Sequence, residues 1–242
     1  MSKKIFLMAT GQSINELTDE NWDHIKEHSS IGISYFYKKD FETTYYYTHE
    51  HTQQPLNVAK NISNKNWKTK VFFGTKEFSG NNYGVINSSS STYNKYKDLI
   101  NCDEVSFTHW LNSWNGKTWG VNNDNPPINF DETWSRDFKK PLFGFRGTMM
   151  CALNLCTVLG YNEIILCGVD LNNGLHFYDE IKSIYSKQFG TDSIKDKHST
   201  CVEYRGVRPV IDALNWIKPN LNIKVSSKNS LLYENGFELY EF

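Results

Sequence analysis

Lys4 to Ala9 is a near-continuous apolar run, the pattern of a strand buried on both faces of a parallel sheet. Thr10-Gly11-Gln12-Ser13 breaks it as a turn, and a helix-like segment runs from Asp19 to His28. Further strands are predicted at Ser30 to Tyr35, Thr43 to Tyr47 and Lys70 to Phe73. Farther on, Thr148 to Leu159 has helical composition and stops at Gly160, a natural C-terminal breaker. Glu163 to Asp170 follows as the most apolar strand, then a helix at Pro209 to Ile217 and a last strand at Ile223 to Val225. Strands alternating with helices predict one α/β domain spanning residues 1–242. Its core would be a single doubly wound, mostly parallel, Rossmann-like sheet.

Two stretches escape this rhythm. From Ser79 to Lys139, Asn, Ser, Trp and Gly dominate, and Ser88 to Ser91, Asn122 to Asn125 and Pro126-Pro127 read as turns. Only Glu104 to Phe107 reads as a strand there. A linker would be poor in aromatics, whereas this stretch holds Trp110, Trp114, Trp119 and Trp134, so long ordered loops are expected. The other stretch, residues 172–197, is polar and mixed after a rigid strand, as a lid requires.

Composition narrows the function classes. Lys and Arg number 26 against 27 Asp and Glu, so the basic excess of a nucleic-acid binder is missing. Aromatics reach 15%, which suits either a core or a sugar- or base-binding cleft. Five cysteines without a C-x-x-C pair argue against a disulfide framework or zinc knuckle, and Cys151, Cys156 and Cys167 lie in apolar runs as buried thiols. No stretch approaches the length of a membrane span, and the first ten residues read as a strand rather than a signal peptide. A cytoplasmic protein is expected.

In open parallel sheets, ligands bind beyond the carboxyl ends of the strands, and three such ends carry polar groups. At Thr10-Gly11-Gln12-Ser13, a glycine would let the backbone approach a phosphate while the following helix start supplies N–H donors. A plain strand-to-helix turn explains the same residues. One glycine makes neither a dinucleotide fingerprint nor a Walker loop. At Phe145-Arg146-Gly147-Thr148, Arg146 could pair with a phosphate or carboxylate and Thr148 could cap a helix or bond a ligand. At Gly168-Val169-Asp170, the carboxylate is either a turn-former or a catalytic or ribose-binding group. His176 and His198 bracket the irregular segment and are candidate general bases, against the plain alternative of surface histidines. His49-Glu50-His51 has metal-ligand spacing but no third ligand at a useful distance in sequence, so no metal is assigned.

Taken in order, these segments resemble the bacterial sialyltransferases of glycosyltransferase family 42. The matching pieces are Met8-Ala9-Thr10-Gly11-Gln12-Ser13, Arg146-Gly147-Thr148, Leu159 to Ile164, Gly168-Val169-Asp170, His198-Ser199, and Lys228 to Leu232. A looser likeness extends to Kdo-type transferases of surface-glycan and lipopolysaccharide biosynthesis. The resemblance implies a GT-A-like, metal-independent enzyme with no cofactor beyond its donor, a CMP-activated acidic sugar. Its acceptor would be a glycan or glycolipid hydroxyl, at the inner face of the membrane if the acceptor is a lipid. Peripheral membrane contact and a homo-oligomer stay open. By position, His198 would be the base, Thr10, Gly11, Gln12 and Ser13 the nucleotide turn, Ser34 near the cytidine or ribose, and Thr148 near the sugar. The family's asparagines in the first turn and after the second strand are Thr10 and Ser34 here, and Asn172 and His176 stand about where its phosphate-facing tyrosines belong.

Two other readings compete. A pterin pyrophosphokinase-like diphosphotransferase would need ATP, a metal and a carboxylate cluster that the sequence does not display. A non-catalytic glycan-binding module would use the tryptophan-rich loops and leave the α/β core inert.

Overall fold

The structure, a computed structural model, describes residues 3–49, 54–76, 88–110, 113–114, 117–118, 130–145, 147–172, 176–178 and 207–242. Nine strands form one sheet: β1 (Lys4–Met8), β2 (Ser29–Ile33), β3 (Tyr45–Thr48), β4 (Lys70–Lys76), β5 (Cys102–Trp110), β8 (Leu142–Phe145), β9 (Glu163–Cys167), β10 (Asn222–Val225) and β11 (Glu238–Leu239). A separate two-stranded piece pairs β6 (Ser113–Trp114) with β7 (Lys117–Thr118). The spatial order is β11-β10-β9-β1-β2-β3-β4-β5-β8, and every pairing within the sheet is parallel. The chain builds outward from β1 to β8, then returns to lay β9 on the other side of β1. The gap between β1 and β9 is therefore the topological switch point, where open α/β sheets form their ligand crevice.

The period-2 alternation of the strands assigns their side chains to two cores. On one face Ile5, Leu7, Ile31, Ile164, Leu166 and Val225 pack against α5 (Thr148–Val158) and α6 (Arg208–Ile217). On the other, Phe6, Met8, Tyr46, Phe73, Ile165 and Cys167 meet α1 (Asp19–Lys26), α2 (Gln54–Lys65) and α3 (Ser88–Tyr96). Strands buried on both sides must be apolar at consecutive positions, which is why β1 and β9 were legible as unbroken runs. Helix α5 is buried around most of its circumference, and its Asn154 satisfies its amide by accepting from Ser135 N and Phe143 N and donating to Ser135 O. Gly160 closes this helix in the left-handed region at φ 84°, as the sequence predicted.

The region from Ser79 to Lys139 needs correction. Ser88 to Ser91, read as a turn, begins α3, and Glu104 to Phe107 belongs to a nine-residue strand inside the main sheet. Serine is a weak helix former, and packing of Thr92 and Tyr96 against the sheet outweighs it. Trp134, directly after the short helix α4 (Phe130–Thr133), is a core residue, buried to 1% exposure, with its indole N–H donated to Thr157 Oγ1 at 3.1 Å. Among the described residues no helix is long and apolar enough to cross a membrane.

Candidate functional site

The predicted turn after β1 is locked to the end of β9. Gly11 N–H donates to Gly168 O at 2.7 Å, and Ser13 N–H donates to Asp170 Oδ2 at 2.9 Å. Ser13 Oγ donates to Asp170 Oδ1, and the Gln12 N–H also reaches the same carboxylate. Asp170 is 6% exposed. Burial raises its pKa above the ordinary aspartate value, and the bonds from Ser13 and Gln12 oppose that rise. A Cβ on Gly11 would stand 2.5 Å from Asp170 Oδ2 and 2.6 Å from Gly168 O. Gly11 is thus required by its neighbours in the fold, and its backbone φ of −62° asks for no glycine. The N–H groups of Gly11, Gln12 and Ser13 are taken within the protein, and a short 3₁₀ turn, Gln12–Glu16, stands between this turn and α1, which starts at Asp19 as expected.

The C-terminal segment braces the same crevice from below. Ser230 Oγ donates to Val169 O at 2.7 Å, and Leu231 N–H, at the start of α7 (Leu231–Glu234), donates to Asp170 O at 2.9 Å. Ser227 Oγ and Asn229 Nδ2 donate to the two oxygens of Glu16, at 2.6 and 2.7 Å. Asn172 donates its amide to Asn229 O, while its Oδ1 is buried without a hydrogen-bond partner.

Residues 176–178 lie across the turn. His176 and Gly11 form a single antiparallel bridge, Phe177 N–H donates to Thr10 O at 2.9 Å, and Asn15 Nδ2 donates to Phe177 O at 3.0 Å. The His176 ring stacks on Tyr178 with centroids 5.1 Å apart. Tyr178 meets Tyr35 edge-on, and Lys38 Nζ sits 3.7 Å from the centre of the Tyr178 ring. Ser34 follows β2 beside this cluster, at φ 53°, and its carbonyl accepts from Tyr46 at 2.7 Å. Leu171, on the opposite side of the crevice, is also left-handed at φ 58°. Such conformations cost about 1–2 kcal/mol in a residue with a Cβ and collect where strand ends are shaped for a ligand.

The structure therefore brings together Thr10, Gly11, Gln12, Ser13, Asp170 and His176, with Ser34 joined through Tyr35 and Tyr178. Thr148 stands apart. It is buried at the start of α5, but as the first helical residue after Gly147, so the capping role foreseen for it belongs to another position. One turn along, the Cys151 thiol shares a hydrogen bond with the Tyr47 hydroxyl, and burial pushes that thiol up to about 12, leaving it protonated at neutral pH. His49 Nδ1 lies 3.2 Å from the Tyr47 hydroxyl, and its ring packs on Phe107 at 4.5 Å. Thr48 Oγ1 is buried there with no hydrogen-bond partner. Arg146, His198, Glu50, His51 and residues 173–175 and 179–197 of the expected lid lie outside the described residues.

Sequence reasoning missed Lys38, Tyr35 and the Glu16 brace. Lys38 and Tyr35 sit in a polar stretch with no motif, and only the fold of the 176–178 segment over β1 makes them neighbours. Asn229 and Ser230 carry no motif of their own and stand out in the sequence only within the Lys228 to Leu232 resemblance.

No protein-family model matches the chain, and no curated protein does. Solved structures do. The sialyltransferase CstII from Campylobacter jejuni, in complex with the substrate analogue CMP-3FNeuAc, is 17% identical at a TM-score of 0.57, over 100% of this chain and 87% of that one. The monofunctional alpha-2,3-sialyltransferase Cst-I from the same organism is 16% identical at 0.52, over 100% and 83%. A CstII variant in complex with CMP gives 16% and 0.53, over 98% and 86%. At these identities the likeness establishes a shared fold, the single Rossmann-like α/β sheet expected from the sequence.

Proposed function

We propose that this chain is a CMP-sugar-dependent glycosyltransferase that moves an acidic sugar, of the sialic acid or Kdo type, onto a hydroxyl of a glycan or glycolipid, without a metal or other cofactor. The observation that carries this reading is the Asp170-locked turn at the β1–β9 switch point with His176 laid across it. Support comes from the fold shared with sialyltransferases solved with CMP or a CMP-sugar analogue.

In this reading Thr10, Gly11, Gln12 and Ser13 position the nucleotide by shape, since the N–H groups of the last three are engaged. Ser34 meets the cytidine or ribose, and Thr148 faces the sugar side. Departure of CMP leaves charge on its phosphate, which needs a nearby cation or hydrogen-bond donor. His176, Asn172 and Arg146, with Lys38 beside His176's neighbour Tyr178, are the groups proposed to supply it. His198 removes the acceptor proton, Asp170 acts on the reaction by holding the turn in place, and residues 172–197 close over the donor to exclude water. A glycolipid acceptor would bring the protein to the inner face of the membrane.

The test has two arms. CMP should raise Tm in the presence of EDTA while ATP, UDP and GDP do not, because a ligand bound only by the folded state stabilises it. A shift with ATP alone, or one abolished by EDTA, would point instead to a diphosphotransferase. His198→Ala should then lower kcat by about 10²–10⁴-fold and keep the CMP shift. Full activity in that variant, with loss in His176→Ala, would move the base to His176.

A further inference from the structure

A second cluster lies at the other end of α1 from the turn, on the sheet face over Phe6. His24 lies in the last turn of α1, Glu27 caps its C-terminus in helical conformation and His28 follows, so that the spacing i, i+3, i+4 carries the helix's one-sided stacking just past its end. One ligand atom from each lies within 4.8 Å of the others, close enough to share a single ion. Two histidines four residues apart with a carboxylate make an N₂O donor set, the composition that zinc takes with an open fourth position.

The surroundings already orient both rings as metal-ligating imidazoles are oriented, by a hydrogen bond at one nitrogen that leaves the other for the ion. His28 Nδ1 lies 3.1 Å from His24 O, and His24 Nε2 lies 2.8 Å from the Tyr240 hydroxyl. The rings sit 4.7 Å apart, and His24 meets Phe6 edge-on. Lys4 is the opposing charge, its Nζ donating at 2.6 Å to the same Tyr240 hydroxyl, and Glu27 and the negative end of α1 offset it.

We propose that His24, Glu27 and His28 bind one divalent transition-metal ion, Zn²⁺ by preference. The ion would staple the end of α1 to the C-terminal segment through Tyr240. This site is separate from the proposed transfer chemistry and does not depend on it.

The full-length chain, stripped with EDTA and titrated with Zn²⁺ against a chromophoric chelator, should bind one equivalent at these residues. His28→Ala and Glu27→Gln should each weaken that binding by about tenfold or more while the circular dichroism stays unchanged. Co²⁺ in place of Zn²⁺ should give a visible d–d band without the near-ultraviolet charge-transfer band of a cysteine site. Unaltered binding in both variants, a thiolate band, or no binding by the wild-type chain would each overturn the proposal. Should His28→Ala unfold, Glu27→Gln, a near-isosteric change on an exposed side chain, carries the test.

Discussion

The ends of β9 and β3 both finish apolar strands with polar residues at the same edge of the sheet, yet they spend their hydrogen bonds differently. At β9, both Asp170 oxygens are engaged by the turn after β1, and the backbone behind it is held by Ser230 and Leu231. At β3, the Thr48 hydroxyl is buried with no partner, although Tyr47 beside it is bonded to Cys151 and lies 3.2 Å from His49 Nδ1. Asn172 resembles Thr48 in this respect, with one amide oxygen buried and unmatched. The difference separates two jobs that strand ends perform. A saturated end is a rigid platform whose residues act by position, and an unsaturated end retains donors and acceptors for something else to meet.

The most forceful way to break this comparison is to pry the platform apart. Gly11→Val pushes side-chain carbon against Asp170 Oδ2 and Gly168 O, at distances no rotamer can relieve. It should cost about 3 kcal/mol in urea unfolding and abolish the CMP-induced shift in Tm. Wild-type stability in this variant would mean that the turn and the end of β9 are not packed together.

A milder effect is expected from the carboxylate itself. Asp170→Ala leaves the Ser13 and Gln12 donors buried and unpaired, a loss of about 1–3 kcal/mol. Its pH dependence has a definite sign. Burial holds the native pKa above that of a free aspartate, so the folded state binds the proton more tightly than the unfolded chain. The contribution is complete below about pH 4, near the free aspartate value, and declines as pH rises through the native pKa. Subtracting the profile of Asp170→Asn, which cannot ionise, should isolate that decline. A contribution that grows with rising pH would mean that the hydrogen bonds outweigh burial.

The smallest effect belongs to β3. Thr48→Val exchanges an unpartnered hydroxyl for a methyl group of similar shape and should change stability by less than about 0.5 kcal/mol. If CMP or donor binding weakens in this variant while Tm holds, the unsatisfied end is where the ligand is read. A large loss of stability would instead assign the hydroxyl a structural partner and erase the contrast with β9.

Much of this architecture can be read from local pattern, because a strand covered on both faces has to be apolar at every position. Lys4 to Met8 and Glu163 to Cys167 announced themselves in that way, as did Gly160 by ending a helix. The strand ends carrying Thr10 to Ser13 and Asp170 were legible for the same reason, since polar residues immediately after such runs fall at the sheet edge. What tertiary structure alone decided is which of these ends meet and what they do for one another. Ser13 and Asp170 are 157 residues apart, and Glu16 and Asn229 are 213 apart. No periodicity encodes such pairs, since they exist only because β9 returns to the near side of β1. The same return packs Gly11 against Asp170 and Gly168, while Ser88 to Ser91 are helical against a weak propensity because α3 packs on β4 and β5. Local pattern reports how each segment must be buried, and the chain's path through space decides which buried polar groups satisfy each other and which are left for a ligand.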